Sequence, residues 1–252
     1  MNRIGEIFSK TDSALMPFIV SGFPNLESTK DAIIAMDEAG ADIIEIGIPF
    51  SDPIADGPLI AAAMHEALLG GVTPQSTIDL VAGIREHVSA GLVAMVSDSI
   101  VSKIGRKTFL QSLANAGFDG IIIPDIDDLD AQQTSAYCQQ CELTFSMLVS
   151  PSSTKERIAW LASISSGFLY ILARVGLTGE QTSPPDITHR IEEIRTITTL
   201  PLAVGFGIST REHVVSVTQS ADAAIVGSAL VRRMGDAENP ALAAREFVCE
   251  LS

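Results

Sequence analysis

Eight short runs of apolar, mostly β-branched residues recur along the chain, and they restrict its fold more than any other feature. They are MPFIVS (16–21), DIIEIGI (42–48), GLVAMV (91–96), DGIIIP (119–124), ELTFSML (142–148), GFLYILA (167–173), LPLAVGF (200–206) and ADAAIVG (221–227). A strand with one wet face alternates apolar and polar residues. Nearly continuous apolar runs fit parallel strands covered on both faces. Amphipathic stretches separate most of the runs. RKTFLQSLANAG (106–117) places Phe109, Leu110, Leu113 and Ala116 on one helical face, with Gly117 as the terminator. ITHRIEEIRTIT (187–198) does the same with Ile187, Ile191, Ile194 and Thr198. The helix-to-strand joints also repeat. AGADIIEIGIP (39–49) and AGFDGIIIPDI (116–126) share Ala-Gly-x-Asp before isoleucine, and SADAAIVGS (220–228) echoes them. A βα unit repeated eight times predicts an α/β fold: a single (β/α)8 TIM barrel with an extra N-terminal helix, residues 1–252 forming one domain. An open doubly wound sheet is the alternative. It would usually carry a glycine-rich fingerprint after its first strand, and SGFPNLES is not one.

Composition bounds the partners. The chain has 252 residues, 46% hydrophobic and 19% charged, which is enough to bury a barrel core. No uninterrupted apolar stretch is long enough for a membrane span. MNRIGEIFSK shows no apolar run followed by a small-residue cleavage site, so a cytoplasmic location is expected. A net charge of −15 disfavours nucleic acid and anionic membranes. A small anionic substrate would have to be held by local backbone N–H groups. Cys138 and Cys141 form a lone C-x-x-C with neither a second pair nor ligand-spaced histidines, and read as two semi-buried thiols at a helix-to-strand junction. His65, His87, His189 and His213 lie in or beside helical stretches, no two at ligand spacing, so no metal site is expected. Trp160 reads as a core residue of the helix KERIAWLASI.

A barrel does its chemistry at the C-terminal ends of its strands. In the second run, Ile44, Ile46 and Ile48 face one way and Ile43, Glu45 and Gly47 the other. The isoleucines suit packing against helices, so Glu45 points into the barrel. A desolvated carboxylate there favours its neutral form and is suited to trading protons near neutral pH. Pairing with a buried base is the alternative. Asp56 follows in a loop fixed by Pro49, Pro53, Gly57 and Pro58, and reads as the second functional acid. Asp52, between Ser51 and Pro53, suits turn capping or an interface. GFGIST (205–210) and VGSALV (226–231) each follow a strand and open a helix. They read either as a phosphate site, with Ser228 at the helix start, or simply as tight turns. RVGLTGEQTSPPD (174–186) is long and aperiodic for a βα loop, and reads as a lid or an ordinary surface loop.

EIGIPFSDPIADGP (45–58) strongly resembles the signature of the tryptophan synthase α chain family. So do PFIVSGFP in the first run, GIIIPDI in the fourth, the GLTG segment, GFGIS and IVGSALV. The resemblance implies a barrel lyase that cleaves indole-3-glycerol phosphate to indole and glyceraldehyde 3-phosphate in tryptophan biosynthesis. It implies an α2β2 assembly with a β chain that carries pyridoxal phosphate, and no cofactor in this chain. By the same resemblance Glu45 and Asp56 are catalytic. Phe18, Tyr170 and Phe206 line the indole pocket, and Thr178 closes the lid. Gly179, Gly207, Gly227 and Ser228 hold the phosphate, and Asp52 and Pro53 touch the β chain. The sequence departs from the family pattern at Leu59, Ala61 and Glu66, and at the end of the third run, where the family has a tyrosine and an Asn-Pro turn and this chain has Ser97, Asp98 and Ser99. These departures predict fewer polar groups orienting the site and a third acid, Asp98, at its rim. They keep open two other functions: a catalytically weak subunit that mainly activates a β chain, or another phosphosugar lyase on the same barrel.

Overall fold

The computed structural model describes residues 2–11, 13–51, 57–173, 187–205 and 207–252. Its strands are β1 (Ala14–Val20), β2 (Ile43–Gly47), β3 (Gly91–Met95), β4 (Gly120–Ile122), β5 (Thr144–Ser146), β6 (Leu148–Val149), β7 (Leu169–Leu172), β8 (Leu202–Gly205) and β9 (Ala223–Val226). They form one parallel sheet in the order β5-β4-β3-β2-β1-β9-β8-β7-β6. The two ends of that order are halves of one chain passage, separated only by Met147. β5 pairs with β4 and β6 pairs with β7, so the ring closes through the chain itself. The run ELTFSML, expected as one strand, is therefore split. Its hydrogen bonds pass from one neighbour to the other at Met147, whose carbonyl accepts from the Tyr170 N–H at 3.0 Å. The eight runs of the sequence are the eight staves of this barrel.

Twelve α-helices lie among the described residues. They are α1 (Arg3–Phe8), α2 (Leu26–Glu38), α3 (Pro58–Leu69), α4 (Pro74–Ile84), α5 (Asp98–Ile104), α6 (Arg106–Ala116), α7 (Asp128–Gln140), α8 (Lys155–Ile164), α9 (Thr188–Arg195), α10 (Arg211–Thr218), α11 (Ser228–Asp236) and α12 (Pro240–Leu251). In α6 the face of Phe109, Leu110, Leu113 and Ala116 is buried, and Gly117 ends the helix in the left-handed region at φ +92°. α9 buries Ile191 and Ile194 but stops at Arg195, short of Thr198. Trp160 is only half-buried: the Arg157 guanidinium lies 4.3 Å from its ring centre, a stacking that a core position would not permit. Cys138 is buried in α7 and Cys141 caps that helix. Burial pushes the Cys138 thiol up to about 12, so it is not a nucleophile at neutral pH.

The alternation of β2 divides the core in two. Ile44, Ile46 and Ile48 belong to the layer between strands and helices. Ile43 belongs to the inner layer with Met16, Val93, Ile122, Phe168, Tyr170 and Ile225. The expected N-terminal helix closes the bottom of this inner layer. Ile4 of α1 is fully buried in it, and the Phe8 and Phe168 rings lie 6.0 Å apart. A Cβ on Gly91 would sit 2.5 Å from Ile4 Cδ1, so that glycine makes room for the plug. Burying one isoleucine is worth about 1.5–3 kcal/mol.

The repeated aspartate before a strand has a common task. Asp42 Oδ2 accepts the Leu15 N–H at 2.8 Å, Asp119 Oδ2 accepts the Leu92 N–H at 2.8 Å, and Asp222 Oδ2 accepts the Leu202 N–H at 2.6 Å. Each aspartate thus ties the start of the adjoining strand to its own, fixing register at the bottom of the barrel. Asp119 also pairs with Arg85 and Arg3, and Asp222 with Arg195. Burial is the dominant influence on Asp119 and pushes its carboxyl above the ordinary range, against the pull of the Leu92 N–H and the two arginines. The same burial lowers Arg85.

Three outcomes follow from these clamps. Asp42 is also held above the ordinary aspartate range, by burial first and despite the Leu15 N–H. An acid whose folded pKa is raised favours the fold most when protonated. Its contribution is complete below the unfolded pKa and declines as pH rises through the folded one. Urea unfolding should therefore find Asp42→Asn at least as stable as wild type at pH 7, with the difference vanishing in acid. Asp42→Ala, which leaves the Leu15 N–H without its acceptor, should lose about 1–3 kcal/mol. Asp119→Ala, which strands the partly buried Arg85, should lose about 3–5 kcal/mol in the same assay.

Candidate active site

The C-terminal half of the barrel interior is built by aromatic rings laid over glycines. Phe18 on β1 is in register with Glu45 on β2, and Glu45 with Val93 on β3. Glu45 has no exposed surface. As the alternation predicts, its side chain is on the inner face. Two residues on, Gly47 lacks the Cβ that would lie 2.7 Å from Phe18 Cζ. On the other side, a Cβ at Gly227 would lie 3.3 Å from Phe18 Cδ1. Across the barrel, a Cβ on Gly205 would lie 2.3 Å from the Tyr170 hydroxyl. Phe18 and Tyr170 can occupy the upper interior because the adjoining staves carry glycine there. Met95, Leu148 and Leu172 pack on the inner cluster while remaining partly exposed, so the wall is apolar. A second cluster joins Phe18 and Val20 to Ile60, Ala63, Met64 and Ala67 of α3 and Val231 of α11, with Leu59 packed against it.

The glycine turn after β9 differs from most helix starts in this molecule. Asn2, Asn25, Thr73, Ser97, Asp127, Thr154, Thr210 and Asn239 each offer a side-chain oxygen to the first turn of the helix they precede. Gly227, at the start of α11, offers none. The first-turn N–H groups around Ser228 are left for another acceptor, next to Phe18. Gly207 stands in the left-handed region at φ +82°, where a side chain would be strained. The structure therefore brings Glu45, Phe18, Tyr170, Gly227 and Ser228 together at one end of the barrel, with Gly207 in the loop after β8. Asp52, Pro53, Asp56, Thr178, Gly179 and Phe206 lie outside the described residues, as does the whole of 174–186.

The rim after β3 corrects one expectation. Asp98 is not a loose third acid. Arg106 Nη1 donates to Asp98 Oδ1 at 2.7 Å, and the other end of that buried guanidinium pairs with Asp130 at 2.7 Å. Thr134 Oγ1 accepts from Arg106 at 3.1 Å and Ser102 Oγ at 3.2 Å, so one cation organises α5, α6 and α7. Ser97 is itself engaged. Its hydroxyl donates to Asp125 Oδ2 at 2.7 Å, while the Asp98 N–H donates to Asp125 Oδ1 at 2.8 Å. The polar residues at this rim form a closed network of their own. RKTFLQ names Arg106 in sequence, but only the fold turns it toward Asp98.

Sequence reasoning also passed over Ser146. It lies on β5 in register with the inner residue Ile122, has 1% exposure, and its hydroxyl has no hydrogen-bond partner. The alternation of Thr144 and Ser146 inward with Phe145 and Met147 outward was the signal available. Among the described residues no cluster of histidine, cysteine, aspartate or glutamate could hold a metal ion.

Known proteins share this fold. Residues 5–251 match the family model described as tryptophan synthase alpha chain. A tryptophan synthase alpha chain of Gloeobacter violaceus is 38% identical over 243 residues, covering 93% of this chain and 87% of the relative. One from Rhodopirellula baltica is 40% identical over 228 residues, covering 89% of this chain and 82% of the relative. Tryptophan synthase from M. tuberculosis in its aminoacrylate-bound form superposes with a TM-score of 0.90 at 32% identity, covering 100% of this chain and 98% of that one. A mutant alpha-subunit from the hyperthermophile Pyrococcus furiosus gives 0.89 at 31% identity, covering 96% and 98%. With a family model spanning nearly its whole length and a barrel that superposes on the solved alpha subunits, the chain belongs to the tryptophan synthase alpha chain family.

Proposed function

We propose that this chain cleaves indole-3-glycerol phosphate to indole and glyceraldehyde 3-phosphate, and delivers the indole to a tryptophan synthase β chain in an α2β2 assembly. The observation that carries the reading is Glu45: a carboxylate with no exposed surface on the inner face of β2, beside Phe18 and an apolar wall. Such a group moves protons rather than binding solvent cations. In this reading Glu45 gives a proton to ring carbon C3, and the positive charge that forms on the ring nitrogen is balanced by Asp56. Glu45 then takes the proton from the hydroxyl of the carbon attached to the ring. The C–C bond breaks, its electron pair restores the aromatic ring, and the hydroxyl carbon leaves as the aldehyde. One proton is delivered and one removed, so the step balances with no cofactor in this chain. Pyridoxal phosphate belongs to the β chain.

The other residues have supporting tasks in the same reading. Phe18, Tyr170 and Phe206 hold the indole. Gly179, Gly207, Gly227 and Ser228 hold the phosphate, with the open start of α11 supplying N–H donors. Thr178 closes over the site, and Asp52 and Pro53 face the β chain. The family membership and the absence of any helix among the described residues long and apolar enough to cross a membrane are in keeping with a cytoplasmic biosynthetic enzyme.

Two measurements test this assignment. Glu45→Gln preserves shape and removes the exchangeable charge. It should lower kcat for indole release by about 100- to 10,000-fold with little change in melting temperature. Asp56→Asn should behave alike, and wild-type-like turnover in both variants would defeat the assignment. Ser228→Asp places a carboxylate at the start of α11, where the helix dipole favours it by about 0.3–1 kcal/mol. It should leave the fold as stable or more so while raising KM at least tenfold, because it repels the substrate phosphate.

A further inference from the structure

Among the described residues, the inner wall holds a hydroxyl, that of Ser146, that neither the fold nor the proposed reaction uses. On β5, Phe145 and Met147 belong to the outer core, whereas Thr144 and Ser146 face inward. Thr144 Oγ1 donates to the Asp119 carbonyl at 3.2 Å. Ser146 Oγ is buried and without a partner. Ser97, just past the end of β3 two strands away, is different again, because its hydroxyl is committed to Asp125 at 2.7 Å. A buried hydroxyl without a partner is a net cost to folding, so stability does not explain Ser146.

Its register sets it on the same inner wall as Glu45. Gly47, Met95, Ile122 and Ser146 are successive register partners across β2, β3, β4 and β5. The row below, toward the strand N-termini, is Glu45, Val93, Gly120 and Thr144. Ser146 therefore stands one pleat above the row that carries Glu45, on a different part of the wall. Further along the same chain passage, Leu148 is in register with Tyr170. Apart from Ser146, the neighbourhood is carbon: Ile122, Leu148 and the Tyr170 ring, with Met95 beyond. An apolar wall with few hydrogen-bonding groups fixes the orientation of an aromatic ligand and selects for a polar group on it.

We infer that Ser146 is a specificity-determining contact, whose hydroxyl hydrogen-bonds a polar substituent on the benzenoid ring of the substrate, so that the pocket accepts ring-hydroxylated indole-3-glycerol phosphates. This rests on the lyase reading of the site. A hydroxyl on the ring both donates and accepts, and so does Ser146, so the pair satisfies each other without any charged residue. A methyl group of similar size would leave Ser146 orphaned.

The test compares unsubstituted, ring-hydroxylated and ring-methylated indole-3-glycerol phosphates, the substituent placed at each benzenoid position in turn. It uses the full chain with its β chain, in wild type, Ser146→Ala and Ser146→Cys. At one or more positions wild type should favour the hydroxylated over the methylated substrate by about tenfold in kcat/KM. Both variants should lose that ratio, with melting temperatures equal to or above wild type. The inference is overturned if wild type shows no such preference at any position, if the preference survives in Ser146→Ala, or if a complex with hydroxyindole shows Ser146 Oγ bound only to water. If wild type turns over none of the three substrates, the lyase reading itself fails. Ser146 is then judged by the same hydroxyl-to-methyl ratio in the Kd of the free indoles, where equal affinities overturn it.

Discussion

Glu45 is carried on the inner face of a parallel barrel with no surface exposed, and burying an ionisable group that deeply costs several kcal/mol unless its surroundings compensate. The rest of the upper barrel is arranged around that cost. Strand alternation sends Ile44, Ile46 and Ile48 outward into the helix layer, which anchors β2 so that Glu45 cannot swing out to water. Phe18 closes one side of it, and Phe18 fits only because Gly47 and Gly227 carry no side chain. The residue that looks least suited to a buried strand is held there by the residues that look most ordinary.

The bottom and the top of the barrel solve different problems with the same residue types. At the bottom, Asp42, Asp119 and Asp222 accept N–H groups of adjoining strands, and acids there serve register. At the top, the acids that follow β3 and β4 hold other groups in place. Asp125 holds Ser97 and the Asp98 backbone, and Asp98 and Asp130 share Arg106. This matters for function because an unpaired acid at the rim would disfavour ionisation of any other carboxylate nearby. Arg106 offsets part of that penalty by pairing with both Asp98 and Asp130.

Much of this was legible in the sequence because it depends on local period. The eight apolar runs, the inward direction of Glu45, the face of α6 with Gly117 at its end, and the recurring aspartate all follow from spacings within about ten residues. What was not legible depends on which elements meet. The change of partner at Met147 is a property of ring closure, not of ELTFSML. The pairing of Asp98 with Arg106 depends on how α5 turns into α6, and the half-burial of Trp160 on an arginine one turn away. Ser146 was visible as one polar residue in an apolar run, but its lack of a partner is a fact about its neighbours. Thr178, Gly179 and Phe206 were placed by resemblance alone.

The central claim is that this barrel breaks the carbon–carbon bond between indole and its glycerol phosphate. The most direct measurement is release of indole and glyceraldehyde 3-phosphate from indole-3-glycerol phosphate by the purified chain, with and without a tryptophan synthase β chain. The account predicts equal amounts of the two products in both cases, formed faster when the β chain is present. Binding of the substrate with no indole released, even in the presence of the β chain, would contradict it.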